Sequence, residues 1–134
     1  MKKQVIYLDM DGTIADLYGM ENWLDCLRNE VEGLFLQCNP LITETELLVL
    51  FPSDISELRI CSMTPMDASK EYCLKVIEEK NIWLDKHFPS IEHRVYLEYG
   101  HNKNLRNSKN HILIDDNKTI RENYRGLALA PMWV

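Results

Sequence analysis

Hydrophobic positions along the chain follow two patterns that take turns. Short apolar and β-branched runs at residues 5–8, 58–62, 94–97 and 111–114 predict strands buried on both faces. Between them, Met20, Trp23, Leu24, Leu27, Val31, Leu34 and Phe35 recur at spacings of three and four. That spacing predicts one amphipathic helix from about 19 to 36, ended by Cys38-Asn39-Pro40. Thr43 with Glu46 forms a capping box, so a shorter helix is expected over about 44–51, before Pro52-Ser53-Asp54 breaks it. Thr64 as N-cap, Pro65 at the first helical position and Asp67 in the first turn predict the start of a third helix. Cys73, Val76, Ile77, Leu84 and Phe88 mark its inner face up to about His87, and Pro89 stops it. Residues 100–110 read as a polar loop with one helical turn. A last helix is expected over 118–125, and residues 127–130 read as a short edge strand.

Strands alternating with helices imply right-handed crossovers and a parallel sheet, hence an α/β fold. At 134 residues the chain is expected to form one domain, residues 1–134, with a buried core. Met1-Lys2-Lys3-Gln4 leads into the first strand without a signal-peptide pattern, and no apolar run reaches membrane-spanning length, so a cytoplasmic protein with no membrane contact is expected. The four cysteines, Cys26, Cys38, Cys61 and Cys73, lack C-x-x-C spacing and read as buried free thiols. Fifteen Lys and Arg against 21 Asp and Glu give a net charge of −6, which argues against a long nucleic-acid footprint. The basic residues Lys103, Arg106, Lys109, Lys118, Arg121 and Arg125 gather in the last third. They read either as a solvated face or as an electropositive rim for an anionic substrate.

The candidate chemistry lies where strands end. The first run closes on Asp9-Met10-Asp11-Gly12-Thr13, the second on Ser62, the fourth on Asp115-Asp116, and Lys103 follows the third. In a parallel sheet these ends share one edge, where ligands bind in open α/β folds. Asp9 and Asp11 repel each other and need a cation or a shared proton. A turn explains Asp11-Gly12 but not a second carboxylate at the tip of an apolar strand. Several carboxylates suit Mg²⁺, a hard cation that takes carboxylates, waters and substrate phosphate. A hydroxyl and an ammonium suit phosphoryl oxygens.

Asp9-Met10-Asp11-Gly12-Thr13 matches D-x-D-G-T and resembles the first motif of the haloacid dehalogenase (HAD) phosphatase superfamily. The resemblance implies a Rossmann-like three-layer sandwich around a central parallel sheet, with a minimal helical cap inserted at about 17–40. By the same resemblance Asp9 is the nucleophile. Asp11 is the general acid and base, and its carbonyl also ligates the metal. Ser62, Lys103 and Gly12 bind phosphate, and Asp9, Asp11, Asp115 and Asp116 hold Mg²⁺. Thr64 competes with Ser62, and Lys109 with Lys103, for the matching positions. Ile14-Ala15-Asp16, Ile60-Cys61-Ser62, residues 83–89, Gly100-x-x-Lys103 and Ile112-Leu113-Ile114-Asp115-Asp116 are similar to the 5′(3′)-deoxyribonucleotidase family within it. Leu17 departs from that family, which tends to place an aromatic there. The segment between the first two motifs is also short.

The resemblance therefore implies a Mg²⁺-dependent phosphomonoester hydrolase acting on a small phosphorylated substrate, a deoxynucleoside monophosphate first of all. Leu17, Tyr18 and Trp23 are the nearest residues able to cover a base or sugar, although Trp23 also suits a core position. The alternatives are another small phosphate ester, a nucleic-acid end, or a non-catalytic phosphate-binding module. A homo-oligomer could supply a missing lid, with Trp133 either at such a contact or in the core.

Overall fold

The structure is a computed structural model that describes residues 2–134. Met1, first residue of the leader segment considered above, lies outside them. Five strands form one all-parallel sheet: β1 (Gln4–Leu8), β2 (Ser56–Met63), β3 (Arg94–Leu97), β4 (Ile112–Ile114) and β5 (Leu127–Leu129), in the order β3-β2-β1-β4-β5. Every pairing is parallel, with Leu8 opposite both Ile60 of β2 and Ile114 of β4. The α/β expectation therefore holds, and the fifth run is an edge strand as its length implied.

Connections leave β1 and β4 in opposite directions along the sheet. The strand order reverses there, and a crevice opens beyond their carboxyl ends. Alternation along β1 assigns its side chains to two cores. Ile6 and Leu8 join Ile60 and Ile114 beneath the largest helix, while Tyr7 packs with Cys61, Leu113 and Tyr124 on the other face.

Four α-helices surround the sheet: α1 (Trp23–Arg28), α2 (Glu44–Leu50), α3 (Lys70–His87) and α4 (Lys118–Glu122). The capping box at α2 is present in full, with Thr43 Oγ1 accepting from the Glu46 amide and Glu46 reaching back to the Thr43 amide. The helix expected over 19–36 is not continuous. It is α1 alone, followed by Glu30 and Gly33 in the left-handed region (φ 51° and 87°) and a 3₁₀ turn at Phe35–Gln37. The spacing of apolar residues survived, but tertiary contacts with α3 outweighed helix propensity. Glu30 accepts from the Ser69 amide (3.1 Å), and Tyr72 donates its hydroxyl proton to the Val31 carbonyl (2.8 Å). Glu79 of α3 accepts from the amides of Gly33 (2.8 Å) and Phe35 (3.2 Å).

The start of α3 also differs. Ser69 is the N-cap, accepting from the Tyr72 amide (3.1 Å). Thr64 instead extends the ladder between β2 and β3, its amide donating to the Leu97 carbonyl (2.9 Å), and Asp67 takes a positive φ of 55°. The cysteines are free, as expected, but only Cys38 and Cys61 are fully buried. No helix of the described residues is long and apolar enough to cross a membrane.

Glu79 is a buried carboxylate that satisfies two amides of the turn at Gly33 and Phe35. Glu79→Ala should cost about 2–4 kcal/mol, because both donors lose their partner. Urea unfolding would measure this against Glu78→Ala, an exposed neighbour on α3, which should change little.

Candidate active site

The apolar run of β1 ends at Leu8, and the chain then folds back on itself. The Met10 carbonyl accepts from the amides of Thr13 (3.2 Å), Ile14 (3.0 Å) and Ala15 (2.9 Å). This tight loop fixes Asp9 and Asp11 at the mouth of the crevice. Gly12 takes φ 82° within it, and a Cβ there would overlap Asp116 and Tyr18, so the position demands glycine. Its amide is already donated to the Ala15 carbonyl (2.9 Å) rather than left free for a phosphate.

Thr13, fully buried, links the two carboxylate pairs. Its hydroxyl donates to Asp9 Oδ2 (3.1 Å) and accepts from the Asp116 amide (3.3 Å). Its carbonyl accepts from the Trp133 indole (2.7 Å), and Trp133 packs, half-buried, against the core.

Lys103 lies between the strands it neutralises. Its ammonium donates to Asp9 Oδ1 (2.7 Å) and to Asp115 Oδ2 (2.8 Å), and the side chain is buried. Burial alone would lower its pKa, but Asp9 and Asp115 outweigh that and hold the ammonium above its ordinary range. An ammonium has three protons. Two are used here, and among the described residues the third has no acceptor. Of the basic group in the last third, Lys103 lines the cavity, whereas Arg106, Lys109, Lys118, Arg121 and Arg125 do not. Arg121 donates to the Asp115 carbonyl (2.9 Å), and Lys118 sits near Glu122 (3.8 Å).

A second lysine, Lys80 of α3, was not anticipated. It is completely buried and donates to Asp11 Oδ2 (2.8 Å), Ser62 Oγ (2.8 Å) and the Met63 carbonyl (2.9 Å). Its ammonium also lies 4.9 Å from the centre of the Phe35 ring. The signal was present in the spacing. Lys80 falls four residues after Val76 and four before Leu84, on the inner face of α3, where its charge argued for solvent. Ser62 is therefore beneath the site, fully buried and bonded to Lys80, and is not on the cavity wall. Thr64 is on that wall.

The cavity above these groups has a volume of about 250 Å³. Asp9, Asp11, Lys103, Asp115 and Asp116 form its polar end. Leu17, Tyr18, Trp23, Leu24, Leu27 and Phe35 form an apolar wall, faced by Met63–Met66, Tyr99 and Ile120. The three residues expected to cover a substrate thus share one wall. Tyr18 and Trp23 pack edge to face with ring centres 4.8 Å apart, while Leu17 is buried beneath.

Ligand oxygens of Asp9, Asp115 and Asp116 lie within 4.8 Å of one another. The set is all hard oxygen, which suits Mg²⁺ rather than a thiophilic metal. Asp11 belongs to this group by sequence, but Lys80 holds its Oδ2 and it is not among the three carboxylates that converge. Without a cation the carboxylates are strained electrostatically. Burial, a hydrogen bond with Asp9 and the charges of Asp9 and Asp115 push Asp116 up to about 8, although part of that side chain stays in water. Burial and the Asp9 charge raise Asp115 against the pull of Lys103. Burial raises Asp11 against Lys80.

No protein-family model matches this chain, and no curated protein matches it. The chemistry of the site is therefore read from its own geometry.

Native Asp116 keeps its proton up to about pH 8, whereas an unfolded carboxyl loses it near pH 4. Between these values the native state binds more protons, so stability of the metal-free protein falls as pH rises. A divalent cation would favour the ionised carboxylates and reverse that loss. The Mg²⁺-induced rise in Tm should be small at pH 5 and grow steadily to pH 8. A rise independent of pH, measured by differential scanning fluorimetry, would contradict this account.

Proposed function

We propose that the protein is a HAD-type phosphatase, with residues of about 17–40 forming a minimal cap, and that it hydrolyses a small phosphomonoester, a deoxynucleoside monophosphate first of all. The observation that carries the reading is Lys103, which spans Asp9 and Asp115 with one proton left over at the polar end of an otherwise apolar cavity. This lysine can give its third proton to a phosphoryl oxygen without releasing either carboxylate.

The residues support a two-step displacement. An Asp9 oxygen attacks phosphorus, and the ester P–O bond breaks as the aspartyl-phosphate forms. The departing oxygen takes a proton from Asp11, so the alcohol leaves neutral and Asp11 becomes a carboxylate. Water then gives a proton back to Asp11 as its oxygen attacks phosphorus, freeing Asp9 and inorganic phosphate. Lys103 bears on the charge that spreads over the phosphoryl oxygens. Mg²⁺ held by Asp9, Asp115 and Asp116 would supply further charge neutralisation and orient the phosphoryl group. Ser62 is not offered to substrate, and the hydroxyl of Thr64, although Thr64 is on the wall, donates to the Leu97 carbonyl (3.5 Å).

The cavity favours a small ester over a strand. Its apolar wall offers Tyr18 and Trp23 to a base or sugar, and one phosphate fills the polar end. Phosphate release should therefore be faster from deoxynucleoside monophosphates than from a 5′-phosphorylated oligonucleotide, with a shallow salt dependence. A steep salt slope and preference for the oligonucleotide would move the reading to a nucleic-acid end.

Asp9→Asn should lower phosphate release by on the order of 10³-fold or more, because the amide is a poor nucleophile of nearly equal shape. Asp11→Asn should spare an aryl phosphate, whose leaving group needs no proton, and fail on alkyl phosphates. Near-normal turnover in Asp9→Asn, assayed by malachite green with Mg²⁺, would exclude the mechanism.

A further inference from the structure

We infer that Lys80 is the positioning residue for Asp11, and that Ser62 serves Lys80 rather than the substrate; this rests on the phosphatase reading above. Three observations carry it. First, all three ammonium protons of Lys80 are placed, on Asp11 Oδ2, Ser62 Oγ and the Met63 carbonyl, each within 2.9 Å. A saturated ammonium has nothing left to offer a phosphate. Lys80 is also absent from the cavity wall. Lys103, with a proton to spare, is its opposite.

Second, the two oxygens of Asp11 are not equivalent. Oδ2 is held by Lys80, while Oδ1 is shielded from solvent and has no partner among the described residues. Asp11 itself lines the cavity. The Lys80 bond thus fixes the orientation of the carboxyl group in the cavity that Asp11 lines.

Third, Lys80 has no freedom to follow a different rotamer of Asp11. Its stem is buried in α3, and its ammonium lies over the Phe35 ring. That ring belongs to the turn that Glu79 holds through the Phe35 amide. Adjacent residues of α3 thus set two parts of the site: Glu79 the apolar wall, and Lys80 the proton donor.

A positioning role predicts a signature that a structural one does not. The ester P–O bond breaks with proton transfer from Asp11 only when the leaving oxygen is basic. Lys80→Met should therefore slow an alkyl phosphate by about 100-fold and an aryl phosphate by no more than about fivefold. In an Asp11→Asn background the same substitution should add no more than about a twofold loss, because the group it positions is already gone. The aryl rate also reports that the variant is folded. Equal losses on both esters, or additive losses in the double variant, would overturn the proposal.

Lys80→Met exposes Asp11 and Ser62 to the loss of a buried partner and can fail to fold. In that event Ser62→Ala carries the test, since it removes one acceptor and leaves α3 intact. It should slow the alkyl ester by about threefold to tenfold with little change in KM for either ester. A raised KM for both would return Ser62 to phosphate binding and overturn the proposal. Absence of phosphate release by the wild-type protein from either ester would instead remove the phosphatase reading, and this inference with it.

Discussion

Four carboxylates at the ends of two adjacent parallel strands cannot be left to repel one another, and the rest of the molecule is arranged around that constraint. Asp9 and Asp11 follow β1, and Asp115 and Asp116 follow β4. Two lysines enter from opposite sides. Lys103 arrives on the loop after β3 and spans Asp9 and Asp115, while Lys80 rises from α3 beneath Asp11. Each is buried among acceptors, which alone makes burial of an ammonium tolerable. The positive charges still fall short of the negative ones, and burial together with the charges of Asp9 and Asp115 pushes Asp116 up to about 8.

The two lysines divide the work by how many of their protons are already placed. This difference was invisible in the sequence. Lys103 stood out because it follows a strand in a loop of few alternatives. Lys80 sits in Glu78-Glu79-Lys80-Asn81, four polar residues that read as the wet side of a helix. Only the spacing from Val76 to Leu84 pointed inward, and a charge at such a position is ordinarily read as solvated. Its neighbour Glu79 escaped notice for the same reason. Ser62 was located at the right strand end, but the direction of a strand residue follows from register. The bond with Lys80 decided it.

Strands were legible because their apolar runs are short, sharply bounded and rich in Ile, Leu and Val. The α2 cap was legible because both halves of its reciprocal bond are in the sequence. The segment after Asp16 was not. Its helical spacing is real, yet the chain turns at Glu30 and Gly33 so that Val31 and Phe35 meet α3. Spacing records which residues face the core, not whether the backbone between them is continuous. The same limit shifted the start of α3 from Thr64 to Ser69, where the β2–β3 ladder claimed the first candidate cap.

Trp133 closes the list of residues that touch the site, donating its indole proton to the carbonyl of Thr13. Thr13 in turn orients Asp9 and the Asp116 amide. The loop that follows β1 is thus braced by a side chain more than a hundred positions later. Contacts so distant along the chain carry a large loop-closure entropy, and topologies rich in them fold slowly. A nascent or partly folded molecule would have its core begun and its carboxylates present, but no braced loop to present them. On the phosphatase reading proposed above, metal binding would then follow the docking of Trp133 on Thr13, and a chain stalled before that contact would not yet turn over a phosphate ester.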